Sequence, residues 1–151
     1  MIELRNNQKL LNINKKSVIA SCNFILKLLK LDACSISVSF VDDKEITTLN
    51  RRYFGKKRTT DVISFPMEYD IQNGMLLGDV VVCIPQAVRS SGENNLPLSE
   101  EISLYLIHGI LHLIGERDSK VAERRRMEKK QNSLLAKARV AKRLVLFRDS
   151  S

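Results

Sequence analysis

The sequence predicts an α+β domain, a small mixed β-sheet of about four strands packed with helices, and three observations carry that expectation. Cys34 to Val41 alternates strictly, with Ile36, Val38 and Phe40 on one face and Ser35, Ser37 and Ser39 on the other, the period of a half-buried strand. Val18, Ile19, Cys22, Ile25, Leu26 and Leu29 recur at helical spacing, so Lys15 to Lys30 reads as an amphipathic helix. The order strand, helix, strand, helix, two strands, helices then suits a mixed sheet with helices laid on it.

Taken in order, Ile2 to Arg5 opens the chain as a strand, followed by the helix of Lys15 to Lys30 and the strand of Cys34 to Val41. Asp42 with Glu45 three residues on is a capping-box arrangement, and Ile46 with Leu49 gives the helix that runs to about Arg52 an apolar side. Gly55 to Thr60 has no apolar residue and reads as a loop. Val62 to Met67 and Leu77 to Ile84 read as strands, with Asn73-Gly74 marking a turn between them, so the pair forms a hairpin with a long loop. Pro85 starts a short helix, and Gly92 to Pro97 is expected to be another loop. Ser99 is placed to cap a helix whose first turn carries Glu100 and Glu101, the favourable charge at a helix N-terminus. From Ile102 to Ile114 that helix is apolar almost all round and so is buried on most sides, and Gly115 ends it. The last helix runs from Lys120 to about Arg143, with Val121, Met127, Leu134 and Leu135 toward the core.

With 151 residues, 44% apolar and 28% charged, the chain has the size and composition of one globular domain, and residues 1–151 are read as a single domain. Trp is absent and aromatics are few, so the core must be built from Leu, Ile and Val. Cys22, Cys34 and Cys83 are odd in number and form no C-x-x-C pair, which suits small core residues in a reducing compartment. No leader pattern and no spanning apolar run is evident, and the expected location is the cytoplasm.

The formal charge of +8 is unevenly spread: Lys120 to Arg148 holds eleven Lys or Arg against Glu123 and Glu128. A region so basic is drawn to polyanions such as RNA, although the same pattern also describes a solvated helix face.

The two histidines of the chain sit one helical turn apart in His108-Gly-Ile-Leu-His112, inside the most buried helix. Both imidazoles project from the same face and can share one metal ion; the competing reading is a pair of hydrogen-bonded core histidines. The pattern continues as H-x-x-x-H-x-x-G-x-x-D, in which Gly115 turns the chain and Asp118 stands at the spacing of a third ligand. Glu116 is the competing carboxylate, and Asp118 has an alternative role as the cap of the last helix. Three protein ligands leave a coordination position open, as a hydrolytic site requires. In zinc proteases a glutamate general base follows the first histidine; here that position is Gly109, which disfavours peptide hydrolysis and leaves phosphodiester hydrolysis on a basic surface as the better fit.

On these residues the sequence resembles the YbeY family of bacterial ribosomal RNA maturation factors over nearly its whole length. His108-Gly-Ile-Leu-His112-Leu-Ile-Gly115 is similar to the family's H-G-x-L-H-L-x-G, and Thr60-Asp-Val-Ile-Ser-Phe-Pro66 to T-D-V-L-S-F-P. Leu49-Asn50 and Tyr53, Leu77-Gly78-Asp79-Val80, and Glu123, Met127, Gln131 and Leu134-Leu135 agree in order. The resemblance implies a single-strand-specific, metal-dependent endoribonuclease that holds one Zn2+ and matures the 3′ end of small-subunit ribosomal RNA. It also implies contact with the small ribosomal subunit and with the GTPase Era. The metal ligands expected are His108, His112 and Asp118, for zinc or another divalent ion, with no further catalytic side chain assigned; Arg52, Lys56, Lys57, Arg58, Ser64 and Arg124 are the expected RNA contacts, against the competing reading of solvated loop charges and an ordinary core strand.

The chain departs from the family pattern twice. Asp118 stands where the family's motif ends in a third histidine, and an anionic ligand makes the metal less Lewis-acidic. Phe54 follows Tyr53 where the family usually has an arginine, and Phe54 cannot stabilise a phosphate charge. Two other readings therefore stand beside the nuclease: an RNA- or ribosome-binding assembly factor with a mainly structural metal, and a protease or other small-substrate metal hydrolase.

Overall fold

A computed structural model of the protein describes residues 1–56, 60–67 and 76–148. In chain order its elements are β1 (Ile2–Asn6), β2 (Asn12–Ile13), α1 (Lys15–Leu28), β3 (Ser35–Val41), α2 (Asp43–Phe54), β4 (Val62–Pro66), β5 (Leu76–Cys83), α3 (Ile84–Asn94), α4 (Leu98–Leu113), α5 (Val121–Val140) and β6 (Phe147–Arg148). Four strands form one mixed sheet in the order β1-β3-β5-β4. The alternating segment β3 lies inside it, parallel to both β1 and β5, and β4 closes the sheet antiparallel to β5. The α+β class, the four strands and the β4–β5 pairing agree with the sequence expectation; the Asn73-Gly74 turn falls outside the described residues.

Burial follows the periodicities except at Ile19, which is spaced with the apolar residues of α1 but is 37% exposed. Ile36, Val38 and Phe40 of β3 are fully buried on the face that also takes Val18, Cys22, Ile25 and Leu26 of α1 and most of α4. A smaller cluster of Val41, Ile46, Ile63, Val81 and Cys83 joins α2 to the sheet. All three cysteines are buried and free, and burial pushes the Cys22 and Cys83 thiols up to about 12, which leaves them protonated at neutral pH.

α4 is the axis on which the site depends. Ile102, Leu106, Ile107, Ile110 and Leu111 are fully buried, each contributing roughly 1.5–3 kcal/mol of transfer free energy, so the register of the helix against the sheet is strongly determined. Gly109 sets the depth of that packing: a Cβ there would stand 2.5 Å from Val80 Cγ1 and 3.3 Å from Ser64 Oγ, on the paired strands β5 and β4. A glutamate at this position has no room, so packing explains the absence of a protease-type base.

Three other local expectations fail for identifiable reasons. The loop expected over Gly92 to Pro97 is shorter, because α3 continues through Gly92 and stops only where Asn95 takes a left-handed conformation, φ 50°. Ser99 does not cap α4: the Pro97 carbonyl accepts the first helical bonds from Glu100 and Glu101, and the Ser99 hydroxyl instead donates to the Val145 carbonyl. Val121 is 56% exposed because it is the first residue of α5, ahead of the turn where Met127 reaches the core. The short β2–β6 pair was not foreseen, since two residues per strand are too few to display a period.

Candidate metal centre

The one-turn spacing of His108 and His112 brings their rings together edge to face, centroids 4.6 Å apart, with the two Nε2 atoms separated by 3.0 Å. Gly115, at φ 94°, turns the chain after α4 and returns it to that face. Asp118 Oδ2 then lies 3.3 Å from His112 Nε2 and 3.6 Å from His108 Nε2. These three residues, all partly buried, are the group of metal-capable side chains found among the described residues.

The hydrogen bonds of the other ring nitrogens decide what this cluster can do. His108 Nδ1 donates to Gln131 Oε1 on α5 at 2.9 Å, and His112 Nδ1 donates to the Glu116 carbonyl at 3.0 Å. Both acceptors are carbonyl oxygens, so in the neutral rings the proton sits on Nδ1 and the lone pair on Nε2. Two nitrogen lone pairs and a carboxylate oxygen thus face one point, an arrangement that repels itself until a cation joins them. For a tetrahedral ion with bonds of 2.0–2.1 Å, neighbouring ligand atoms stand about 3.3–3.4 Å apart. The separations of 3.0, 3.3 and 3.6 Å straddle that value, so the donor set fits a small divalent ion.

The competing carboxylate is engaged elsewhere: the Glu116 side chain pairs with Lys130 on α5. Asp118 does not cap the last helix either, because Lys120 holds that position and Glu123 accepts from the Lys120 backbone N–H. Gln131, in the sequence only a residue of the family motif, orients His108. Its signal was available, since it lies four residues after Met127 and four before Leu135, on the inward side of α5. The Glu116 carbonyl, a backbone group, leaves no such trace.

Asp118 lines two grooves. One, of about 420 Å³, passes His112 and Ser64 to Lys56 and Phe54 at the end of α2. The other, of about 340 Å³, passes His108 and Gln131 to Arg124 on α5. Of the expected RNA contacts, Lys56, Ser64 and Arg124 therefore border the cluster. The Ser64 hydroxyl donates to the Gly109 carbonyl at 2.8 Å, so what it can offer a ligand is an acceptor. Arg124 donates to the Ser119 carbonyl at 3.1 Å, and Arg52 rests over the Tyr53 ring, 5.6 Å from its centroid, and is not part of either groove wall. Lys57 and Arg58 lie outside the described residues.

The model of the family described as endoribonuclease YbeY matches residues 3–139. Endoribonuclease YbeY of Syntrophus aciditrophicus is 35% identical over 138 residues, covering 88% of this chain and 86% of that protein. The protein of the same name from Syntrophotalea carbinolica is 35% identical over 144 residues, 92% of this chain and 96% of its own length. That from Persephonella marina reaches 42% over 117 residues, with 74% and 76% covered. Among solved structures, the solution structure of TM1509 from Thermotoga maritima superposes with a TM-score of 0.63 at 25% identity, covering 89% of this chain and 87% of its own.

Proposed function

This chain belongs to the YbeY family of endoribonucleases, and on that premise we propose that residues 1–151 act as one domain that cleaves single-stranded ribosomal RNA at a zinc ion. The observation that supports the metal most directly is the convergence of His108 Nε2, His112 Nε2 and Asp118 Oδ2 while both Nδ1 protons are engaged elsewhere. His108, His112 and Asp118 are the proposed ligands, one ion per chain. A divalent cation held by these three residues would supply Lewis acidity toward a phosphoryl oxygen and toward water.

The chain's own residues do the rest. Gln131 and the Glu116 carbonyl hold the imidazoles in one tautomer and one orientation, so that neither ring has to reorganise when the cation binds. Asp118 adds a negative charge, which tightens cation binding and tempers the cation's acidity. Lys56 in one groove and Arg124 in the other set positive charge on either side of the cluster, where the phosphates of a strand crossing it would run. Arg52, Lys57, Arg58 and Ser64 are further proposed RNA contacts, Ser64 as an acceptor.

The substrate and setting we propose are the 3′ end of small-subunit ribosomal RNA, in the cytoplasm, with the small ribosomal subunit and the GTPase Era as partners. No helix among the described residues is long and apolar enough to cross a membrane. The binding-factor and protease readings have less support, since the matched relatives are named endoribonucleases.

The test combines elemental analysis with cleavage of a single-stranded ribosomal RNA fragment for the wild type, His112→Ala and Asp118→Ala. The expected result is about one metal per chain and cleavage in the wild type, with both lost in the histidine variant. Metal retained in full by Asp118→Ala means a different third ligand; stoichiometric metal without cleavage by pure protein removes the nuclease assignment.

A further inference from the structure

The metal cluster accounts for bond cleavage but not for the choice of an unpaired strand, and the groove wall opposite α4 offers a chemistry that the cluster lacks. Phe54, the last residue of α2, is 51% exposed, although an exposed phenyl ring forgoes the burial that normally stabilises it. Its neighbour Tyr53 is 55% exposed. Both rings rest on Phe65 of β4: Phe54 is stacked on it at 6.1 Å and 29°, and Tyr53 meets it edge-on at 5.1 Å and 71°. Phe65 is itself packed against the cluster that joins α2 to the sheet, so the outer rings have a rigid base.

Position adds to exposure. Phe54 lines the same groove as His112, Asp118 and Lys56, so an apolar ring face, a cation and the metal cluster share one channel. A nucleotide of single-stranded RNA presents the matching set: a flat base with an open π-face, and an anionic phosphate beside it. A base inside a duplex has both faces covered by its neighbours and has nothing to offer the ring.

We propose that Phe54, braced by Phe65, is a stacking platform for one unpaired nucleobase of the RNA, with the adjoining phosphate drawn toward Lys56 and the metal cluster. The platform is sequence-tolerant, because every base has a π-face, and it makes the lack of base pairing the property that is read. The proposal rests on the endoribonuclease reading for its ligand and adds the residue that selects the strand state.

The experiment uses the metal-loaded full chain and a set of short single-stranded RNAs, each with 2-aminopurine at a different position and a backbone modified to resist cleavage. With wild type, fluorescence at one or two neighbouring positions is quenched on binding, and the same RNA in a blunt duplex shows no quenching. Phe54→Leu, which keeps apolar bulk and removes the π-face, abolishes the quenching and weakens binding about tenfold, the order expected for one base–aromatic stack. Phe54→Trp restores both. Unchanged quenching and affinity in Phe54→Leu at every position overturns the proposal, as does equal dependence of duplex binding on Phe54. Cleavage of unmodified RNA is followed separately: quenching by a protein that never cuts removes the nuclease reading and leaves the platform, whereas cutting with no role for Phe54 does the reverse.

Discussion

The two walls of the groove are built by opposite rules. On the α4 side both histidine ligands are fixed twice, by the buried helix and then by the hydrogen bond that each ring donates to Gln131 or to the Glu116 carbonyl, and the Gly115 turn brings Asp118 to them. On the α2 side the groups are two half-exposed rings that rest on Phe65 and an exposed lysine just past the helix end. Metal coordination tolerates errors of a few tenths of an ångström and needs points held from several directions. Stacking and phosphate attraction act over faces and fields, so recognition can be left on an exposed edge. The same chain thus gives its firmest hydrogen-bonded support to the atoms whose placement must be most exact.

If that contrast is right, damage to the α4 wall should act far beyond the altered atom. Gln131→Leu keeps the bulk but leaves His108 Nδ1 without its acceptor, and the expected loss is about 10–100-fold in metal affinity, read by competition with a chelator. Gln131→Glu, which restores an acceptor, should recover most of it; equal affinity in all three proteins would mean that the bond does not position His108.

Gly109→Ala tests how tightly α4 is seated. The new methyl runs into the stiff Val80 side chain, and the expected destabilisation is about 1–3 kcal/mol, measured from the urea midpoint at constant slope. An unchanged midpoint would show that the helix can lift from the sheet without cost, and the contrast between the walls would weaken.

The smallest effect is expected at the far end of α2, the helix that carries Phe54. Asp43 accepts two bonds from Arg89 on α3, at 2.7 and 3.0 Å, and that guanidinium holds the Asp43 carboxyl below its usual range. A depressed carboxyl pKa contributes stability that is present above the unfolded-state value near 4 and is lost as pH falls through the folded-state value. Both side chains are nearly half exposed, so Arg89→Ala should cost less than about 1 kcal/mol at neutral pH, and the difference from wild type should vanish in acid. A loss that persists at low pH would point to packing rather than to charge.

Much of this molecule was legible because its signals are local. The alternation of Cys34 to Val41 and the apolar run of Ile102 to Ile114 announce a strand and a buried helix, since periods of 2 and 3.6 are properties of neighbouring residues. The pairing of His108 with His112 is legible for the same reason, as one helical turn suffices to put them on one face. Boundaries were less legible: Ser99 has the chemistry of a cap, but a carbonyl at Val145, far away in sequence, takes its hydroxyl. The basic stretch of α5 was visible as charge, yet nothing local separates Arg124, beside the groove, from the arginines that follow it.

The sequence by itself determined the α+β class, the two histidines on one face and the glycine turn that returns Asp118, because each follows from spacing along the backbone. Only the tertiary structure decided that Glu116 turns to Lys130 while Asp118 meets the imidazoles, that Gln131 crosses from α5 to hold His108, and that Phe54 shares a groove with them. Those contacts join residues from separate elements, and their geometry is set by how α4 and α5 pack on each other and on the sheet, which no local period encodes.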